Sequence, residues 1–309
     1  MRKTLLGKKV LITGANGFIG FHLVNGLLEA GAAVYPVVGP GLNILNVPSV
    51  KVDITDFDSV GEYFASVKPD VVYHLGAIVN LARDFEVGLK CADINIKGTI
   101  NVLEAASLAN VKHFVFFSTQ EVYGDTSVPY REDQTLNPPS AYAISKIAGE
   151  NFCKYYGGLR NLDWTVFRLS TVYGPGQDNS RFIPTIIRNA IKGEDILLNS
   201  GRKKRDYVYI EDVIDCVISS IYNEQALNQV FNVGGGVSYS LKNLVEKINK
   251  LAGNKSSIFL NKFPERVGEA DNMLSDIGKS GKTLGWKPKT FLDKGLENTI
   301  EFYRKHLNE

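Results

Sequence analysis

The chain has little of several things, and each scarcity excludes a class of function. Its 309 residues hold three cysteines, Cys91, Cys153 and Cys216, far apart and in no CxxC or Cys/His spacing. Neither a disulfide framework nor a metal site is expected from them. No apolar run approaches the ~18–20 residues of a membrane helix, so no membrane partner is expected. Lys8 and Lys9 interrupt any signal-peptide core in "MRKTLLGKKV", and a cytoplasmic location is the expectation. Excess charge is scarce too: 35 Lys and Arg against 33 Asp and Glu leave a formal net charge of +2, and the only dense basic cluster is "GRKKRD" (201–206). A nucleic-acid partner needs a basic face or stripe, and none is visible. What remains is an ordinary globular composition, 44% hydrophobic and 22% charged, in a chain long enough for one large or two modest domains.

The first half alternates apolar strand-like runs with helical patterns. Strands are expected at 8–13, 33–38, 49–54, 70–76, 113–119 and 164–170, and helices at 18–30, about 56–66, 92–109 and 140–157. Several strands are apolar on both faces, as in a parallel sheet covered by helices on both sides. Ser140 is placed to cap the last of these helices. Repeated βα units imply a doubly wound sheet with right-handed crossovers, whose ligands bind at the carboxyl ends of the strands. Beyond residue ~174 the rhythm breaks into Pro/Gly-rich loops and shorter elements.

One stretch fits that sheet's ligand end. In "VLITGANGFIGFHL" (10–23), Gly14, Gly17 and Gly20 directly follow a buried strand and open a helix. Gly14 permits a tight turn, Gly17 lets the backbone approach a pyrophosphate, and Gly20 allows close helix–strand packing. The helix N-terminus offers N–H donors and partial positive charge to phosphates. A glycine-rich turn without a ligand is the bland alternative. A second constellation is Tyr142 and Lys146, four residues apart and so on one face of a helix. A phenol titrates near ~10 and is a poor base until a neighbouring ammonium favours the phenolate. Alone, the pair would read as an amphipathic i,i+4 couple.

Together, "TGANGFIG" (13–20), "ST" (118–119) and "YAISK" (142–146) resemble the extended short-chain dehydrogenase/reductase family, specifically its NAD-dependent epimerase/dehydratases acting on nucleotide sugars. The resemblance continues through "VDITD" (52–56), "HLGA" (74–77), "NIKGT" (95–99), "STQEVYGD" (118–125), "VYGPGQ" (172–177), "RDYVYIEDV" (205–213), "FNVGGG" (231–236) and "LGWKPK" (284–289). It implies an α/β fold: a Rossmann-type doubly wound parallel sheet with a smaller interleaved α/β substrate domain. Residues 1–173, taking back roughly 205–233, would form the dinucleotide-binding part, and 174–309 mostly the nucleotide-sugar part.

The resemblance also implies roles. Tyr142 is the general acid/base, Lys146 supports it and binds the cofactor ribose, and Thr119 hydrogen-bonds the reacting oxygen; a slip of one position would exchange Thr119 with Ser118. The cofactor cradle extends over Asn16, Phe18, Ile19, Ile54, Leu75, Gly76, Ala77 and Ser118. Asp53 matches the adenine-contacting position, with a turn or cap Asp as the alternative. Asn95 is placed with the cofactor-binding residues and matches the helix Asn that supports the catalytic geometry. Substrate contacts are expected from Gln120, Glu121, Thr171, Arg181, Arg205 and Arg266, with guanidinium forks suited to phosphate oxygens. Arg205 could instead belong to a solvated basic patch.

Two departures narrow the chemistry. Gln120 stands where sugar 4,6-dehydratases carry an acid, and an amide cannot protonate a leaving hydroxyl. Val38 and Gly39 stand where dinucleotide folds that prefer NAD usually place an acid for the 2′-hydroxyl, which leaves NAD and NADP both open. The leading expectation is a nucleotide-sugar 4-epimerase acting through a 4-keto intermediate. The alternatives are a 4-ketoreductase of a 4-keto-6-deoxy sugar and, behind it, a 4,6-dehydratase or a non-catalytic dinucleotide sensor. A homodimer through the helices near 92–109 and 140–157 is what the family implies.

Overall fold

A computed structural model describes residues 5–39, 45–265 and 268–306. The strands are β1 (Lys9–Thr13), β2 (Ala33–Val38), β3 (Val50–Lys51), β4 (Val71–His74), β5 (His113–Thr119), β6 (Trp164–Leu169), β7 (Thr171–Tyr173), β8 (Ile196–Leu197), β9 (Lys204–Tyr209), β10 (Gln229–Val233), β11 (Ser238–Ser240) and β12 (Ile258–Phe259). Seven of them form one parallel sheet in the order β10-β6-β5-β4-β1-β2-β3. A second sheet, β11-β9-β7, and a β12-β8 pair are built from the later part of the chain.

Why this sheet is buried on both faces is visible in its side chains. On β5, Val115 and Phe117 enter one core while Phe114 and Phe116 enter the other. Strand β1 divides likewise, Val10 and Ile12 against Leu11, and β4 sets Val71 and Tyr73 against Val72. This two-sided burial is what continuous apolar runs specify, and it demands helices on both faces. On the first face lie α1 (Phe18–Glu29) and, beside it, Val213, Ile214 and Val217 of the helix Ile210–Ser219. On the second lie α2 (Phe57–Val67), α4 (Gly98–Leu108) and α5 (Ala141–Arg160), with a short α3 (Phe85–Lys90) between α2 and α4 in the chain. Among the described residues no helix is long and apolar enough to cross a membrane.

Two local expectations are corrected. The strand expected at 49–54 is only two residues long. It is the sheet's edge, and Asp53 ends it by accepting the Thr55 amide and hydroxyl at 2.9 and 2.8 Å. The helix expected at 92–109 begins with a π-turn over Cys91–Lys97 before α4. That widened turn sits beside the site described next, a common place for one.

Candidate active site

The strand order reverses direction between β1 and β4, and a cleft of ≈ 1720 Å³ opens at the carboxyl ends of β1, β4, β5 and β6. This exceeds the ~300–1,000 Å³ typical of a drug-sized ligand and leaves room for two ligands end to end. Its wall at β1 is the glycine loop. Gly14 has φ +70°, and a Cβ there would lie 2.8 Å from the Gly76 amide nitrogen. A Cβ on Gly20 would lie 2.8 Å from Ala15 Cα. The first turn of α1 carries no acidic residue and no side-chain cap, so its electropositive end faces the cleft unopposed. A dinucleotide fits this cradle on steric and electrostatic grounds alike.

The sequence-identified cofactor residues mostly converge here. Gly14, Asn16, Gly17, Phe18, Ile19, Gly20, Asp53, Ile54, Leu75, Gly76 and Ala77 all line the cleft. Asn16 also ties the loop to the end of β2, its Oδ1 accepting the Gly39 amide at 3.2 Å. Asn95 departs from the expectation: it is buried behind the wall rather than lining it. Its Oδ1 accepts the Ile78 amide at 2.9 Å, and its Nδ2 donates to Ile78 O at 3.1 Å and to Ser145 Oγ at 2.9 Å. It shapes the cleft through Ile78. Ser118 borders the cleft too, but its hydroxyl donates inward to Glu150 Oε1 at 2.6 Å. Where an acid would select against a 2′-phosphate, Val38 lies in register with Lys51, which also lines the cleft.

The reactive groups come from two elements. Strand β5 ends at Thr119, whose Oγ1 accepts the Glu121 amide at 3.2 Å. Helix α5 starts behind Ser140, which caps it by accepting the Ala143 amide at 3.2 Å. In its first turn, Tyr142 lines the cleft with Thr119. One turn further, Lys146 Nζ lies 4.8 Å from the Phe116 ring centroid and 6.0 Å from that of Tyr142. Burial pushes the phenol well above its ordinary value, and the Glu121 carboxylate adds to this, while Thr119 and Arg181 oppose it. Burial likewise drives the Lys146 amine down to about 8. The expected lowering of the phenol by Lys146 is therefore not seen: desolvation outweighs it at both groups.

A polar relay braces this arrangement from behind. The Gly76 amide donates to Thr13 Oγ1 at 3.1 Å, and the same hydroxyl lies 2.7 Å from His74 Nδ1, a contact whose direction is set on the other side of the ring. Thr99 Oγ1 donates to Asn95 O at 2.5 Å and so accepts from His74 Nε2 at 3.0 Å. The donors thus fix the neutral Nε2–H tautomer, in keeping with a pKa that burial lowers to about 3. Nothing in the spacing of "HLGA" signals this; only the fold brings Thr13, His74 and Thr99 together.

Of the expected substrate residues, Gln120, Glu121, Thr171, Arg181 and Arg205 border the cleft, and Arg266 lies outside the described residues. Gln120 is buried, its Nε2 donating to Thr171 Oγ1 and its Oε1 accepting from Ser275 Oγ, each at 3.4 Å. Arg205 is not a solvated patch. It is 8% exposed, its Nη1 donates to Lys204 O at 2.7 Å and Ala270 O at 3.0 Å, and its Nη2 lies 2.8 Å from Glu269 Oε1. Residues not anticipated at the rim include Asn199, Tyr207 and Phe263. Among the described residues no group of three or more His, Cys, Asp or Glu could hold a metal ion.

The model of the NAD dependent epimerase/dehydratase family matches residues 10–234. The chain is 33% identical to a UDP-glucose 4-epimerase of Mycolicibacterium smegmatis, over 96% of this chain and 98% of that one. It is 30% identical to a UDP-N-acetyl-alpha-D-glucosaminuronate decarboxylase of Bacillus cytotoxicus, over 98% and 99%. The structure of a Thermus thermophilus UDP-glucose 4-epimerase in complex with NAD superposes with a TM-score of 0.88 at 29% identity, covering 96% of this chain and 99% of that one.

Proposed function

Because the chain belongs to the NAD dependent epimerase/dehydratase family, we propose that it is a nucleotide-sugar 4-epimerase that keeps NAD bound through the catalytic cycle. The observation that carries this reading is the gathering of Thr119, Tyr142 and Lys146 beside a glycine cradle in one cleft. NAD, when bound, supplies reversible hydride acceptance, and the glycine loop with the first turn of α1 would hold its pyrophosphate. Tyr142 takes the proton of the sugar 4-hydroxyl and returns it to the 4-oxygen once the keto sugar has presented its other face. Thr119 steadies the reacting oxygen, and the Lys146 ammonium stabilises the phenolate that takes this proton and is formed again when the proton is returned. No further acid is required, which suits the amide at Gln120.

Arg181 and Arg205 border the part of the cleft away from the glycine loop and are the candidate diphosphate ligands, with Arg266 as a third. On this reading the chain divides into a dinucleotide part, 1–173 with roughly 205–233, and a sugar part, mostly 174–309. Exposed Leu108 on α4 and Ile144, Tyr155 and Leu159 on α5 supply an apolar face for a homodimer. A second reading, the 4-ketoreductase using NADPH, draws support from Val38 and Lys51 at the adenosine end.

One experiment separates the two. The purified protein is denatured and any released dinucleotide identified, and UDP-sugars are then incubated with fresh protein without added cofactor. Stoichiometric NAD and interconversion of the 4-epimers support the epimerase. A protein that carries no dinucleotide and turns over a 4-keto sugar only with NADPH refutes it.

A further inference from the structure

Behind the cleft lies a buried ion pair that the chemistry above does not use. Glu150 and Arg168 are 1% and 3% exposed and joined by a fork, Nε to Oε1 at 3.0 Å and Nη2 to Oε2 at 2.7 Å. Such a pair is weak evidence for stability, because desolvation offsets its attraction. Its position says more. Tyr142, Lys146 and Glu150 follow at intervals of four and share one face of α5. Glu150 Oε1 also accepts from Ser118 Oγ at 2.6 Å, and Ser118 adjoins Thr119 on β5. Arg168, from β6, gives its Nη1 to Tyr123 Oη at 2.8 Å and to Glu132 O at 3.2 Å. Glu150 thus joins α5, which carries Tyr142 and Lys146, to β5, which ends at Thr119, and Arg168 ties it to β6.

We propose that Glu150, seated by Arg168, is a positioning residue for the reaction: it fixes Thr119 through Ser118 and, one turn along α5, sets the charge environment of Lys146. This rests on the reading of Lys146 as a catalytic residue. The groups facing Lys146 are Tyr142, Glu150 and Cys153 on α5, His74 from β4 and Cys91 from the π-turn. Those around Arg168 are Glu150, Tyr123, Glu132 and Lys279. His74 is neutral, and burial holds both thiols and the phenol protonated. Burial lowers the Lys146 amine, and of Cys153, Glu150 and Cys91, which oppose it, Glu150 is the carboxyl group.

The test reads Lys146 without turnover. Trace acetic anhydride labels the purified protein across the neutral-to-alkaline range, and mass spectrometry of the Lys146 peptide gives the titration midpoint. E150Q keeps the shape and removes the charge; its midpoint is expected to fall by about one pH unit, a tenfold change. The alkaline limb of the kcat profile moves with it. S118A, which removes only the strand contact, leaves the midpoint in place and lowers kcat about tenfold at unchanged KM. Should E150Q not fold, the pair variant E150Q/R168M, which leaves no lone buried charge, carries the same test with a smaller drop. An unchanged midpoint in the folded variant overturns the charge role, and wild-type kcat in S118A overturns the positioning role. A shifted midpoint without a shifted kcat profile supports the charge role and refutes the catalytic reading of Lys146 instead.

Discussion

Replacing Gly20 with alanine tests the cradle at the point where space is least. A methyl group there would stand 2.8 Å from Ala15 Cα, against backbone that cannot swing aside as a side chain could. Relief requires α1 to lift away from the turn after β1, and that motion carries its first-turn N–H groups away from a bound pyrophosphate. On stability alone the change is mixed: overpacking costs roughly 1–3 kcal/mol, while alanine favours a helix interior by about 1 kcal/mol over glycine. Binding has no such offset, and NAD affinity is expected to fall roughly 10- to 100-fold, about 1.4–2.7 kcal/mol. The control is Gly61→Ala in α2, where an added Cβ meets nothing within 4 Å. It is expected to raise thermal stability and leave affinity unchanged. The assay is calorimetric titration of cofactor-stripped protein with NAD. A G20A variant that binds NAD as the parent does would refute the claim that close backbone approach builds the site.

Three further outcomes are expected. Tyr142→Phe removes the proton carrier but not the cradle, so kcat should drop ~10²–10⁴-fold with NAD binding retained; activity within tenfold of the parent would exclude Tyr142 as acid/base. At the adenosine end, Lys51→Glu places a carboxylate in the cleft next to Val38. Coulomb's law gives ~1–4 kcal/mol for adjacent charges, so NADP affinity should fall at least about tenfold relative to NAD, checked by competitive titration. Stability should also depend on two buried histidines. His74 and His113 are lowered to about 3 and about 4 by burial, with Lys146 adding to the first and Asp163 opposing at the second. Their unfolded forms take up protons below ~6.5 while the native forms do not, so stability falls as pH drops, by about 2 kcal/mol from each at pH 5. Urea denaturation of the parent and of His113→Asn measures this; identical pH dependence in both would exclude the His113 contribution.

What could be read from the chain was what repeats or stays local. Apolar runs marked β1, β2, β4, β5 and β6 because burial on both faces leaves no polar alternation to misread. The glycine spacing and the Tyr142–Lys146 step are likewise short-range geometry, and each lies where the cleft is. The failures begin where a side chain's partner is remote in sequence. Arg205 reads as a substrate contact or as part of a solvated basic run, and nothing near it in the sequence names its ion-pair partner Glu269. Asn95 reads as a cofactor contact, yet it sits behind the wall, bonded to Ile78 and Ser145. Burial itself is the other hidden quantity, since it reverses the expected direction at Tyr142.

That reversal bears on how the site works. A phenol held above its ordinary value beside an amine lowered toward neutrality keeps its proton, and it must lose that proton before it can take one from the sugar 4-hydroxyl. Glu121 raises the phenol while Thr119 and Arg181 lower it, so a substrate that brings its own anionic diphosphate and draws Arg181 away would tighten the phenol's hold on its proton. A substrate whose 4-hydroxyl hydrogen-bonds Thr119 and Tyr142 acts the other way. If both effects operate, the free nucleoside diphosphate should raise the kinetic pKa of the phenol relative to the sugar-bearing substrate. Pre-steady-state oxidation followed against pH, with and without the nucleoside diphosphate present at subsaturating levels, measures the difference. Coincident profiles would mean that Arg181 does not report diphosphate binding to Tyr142.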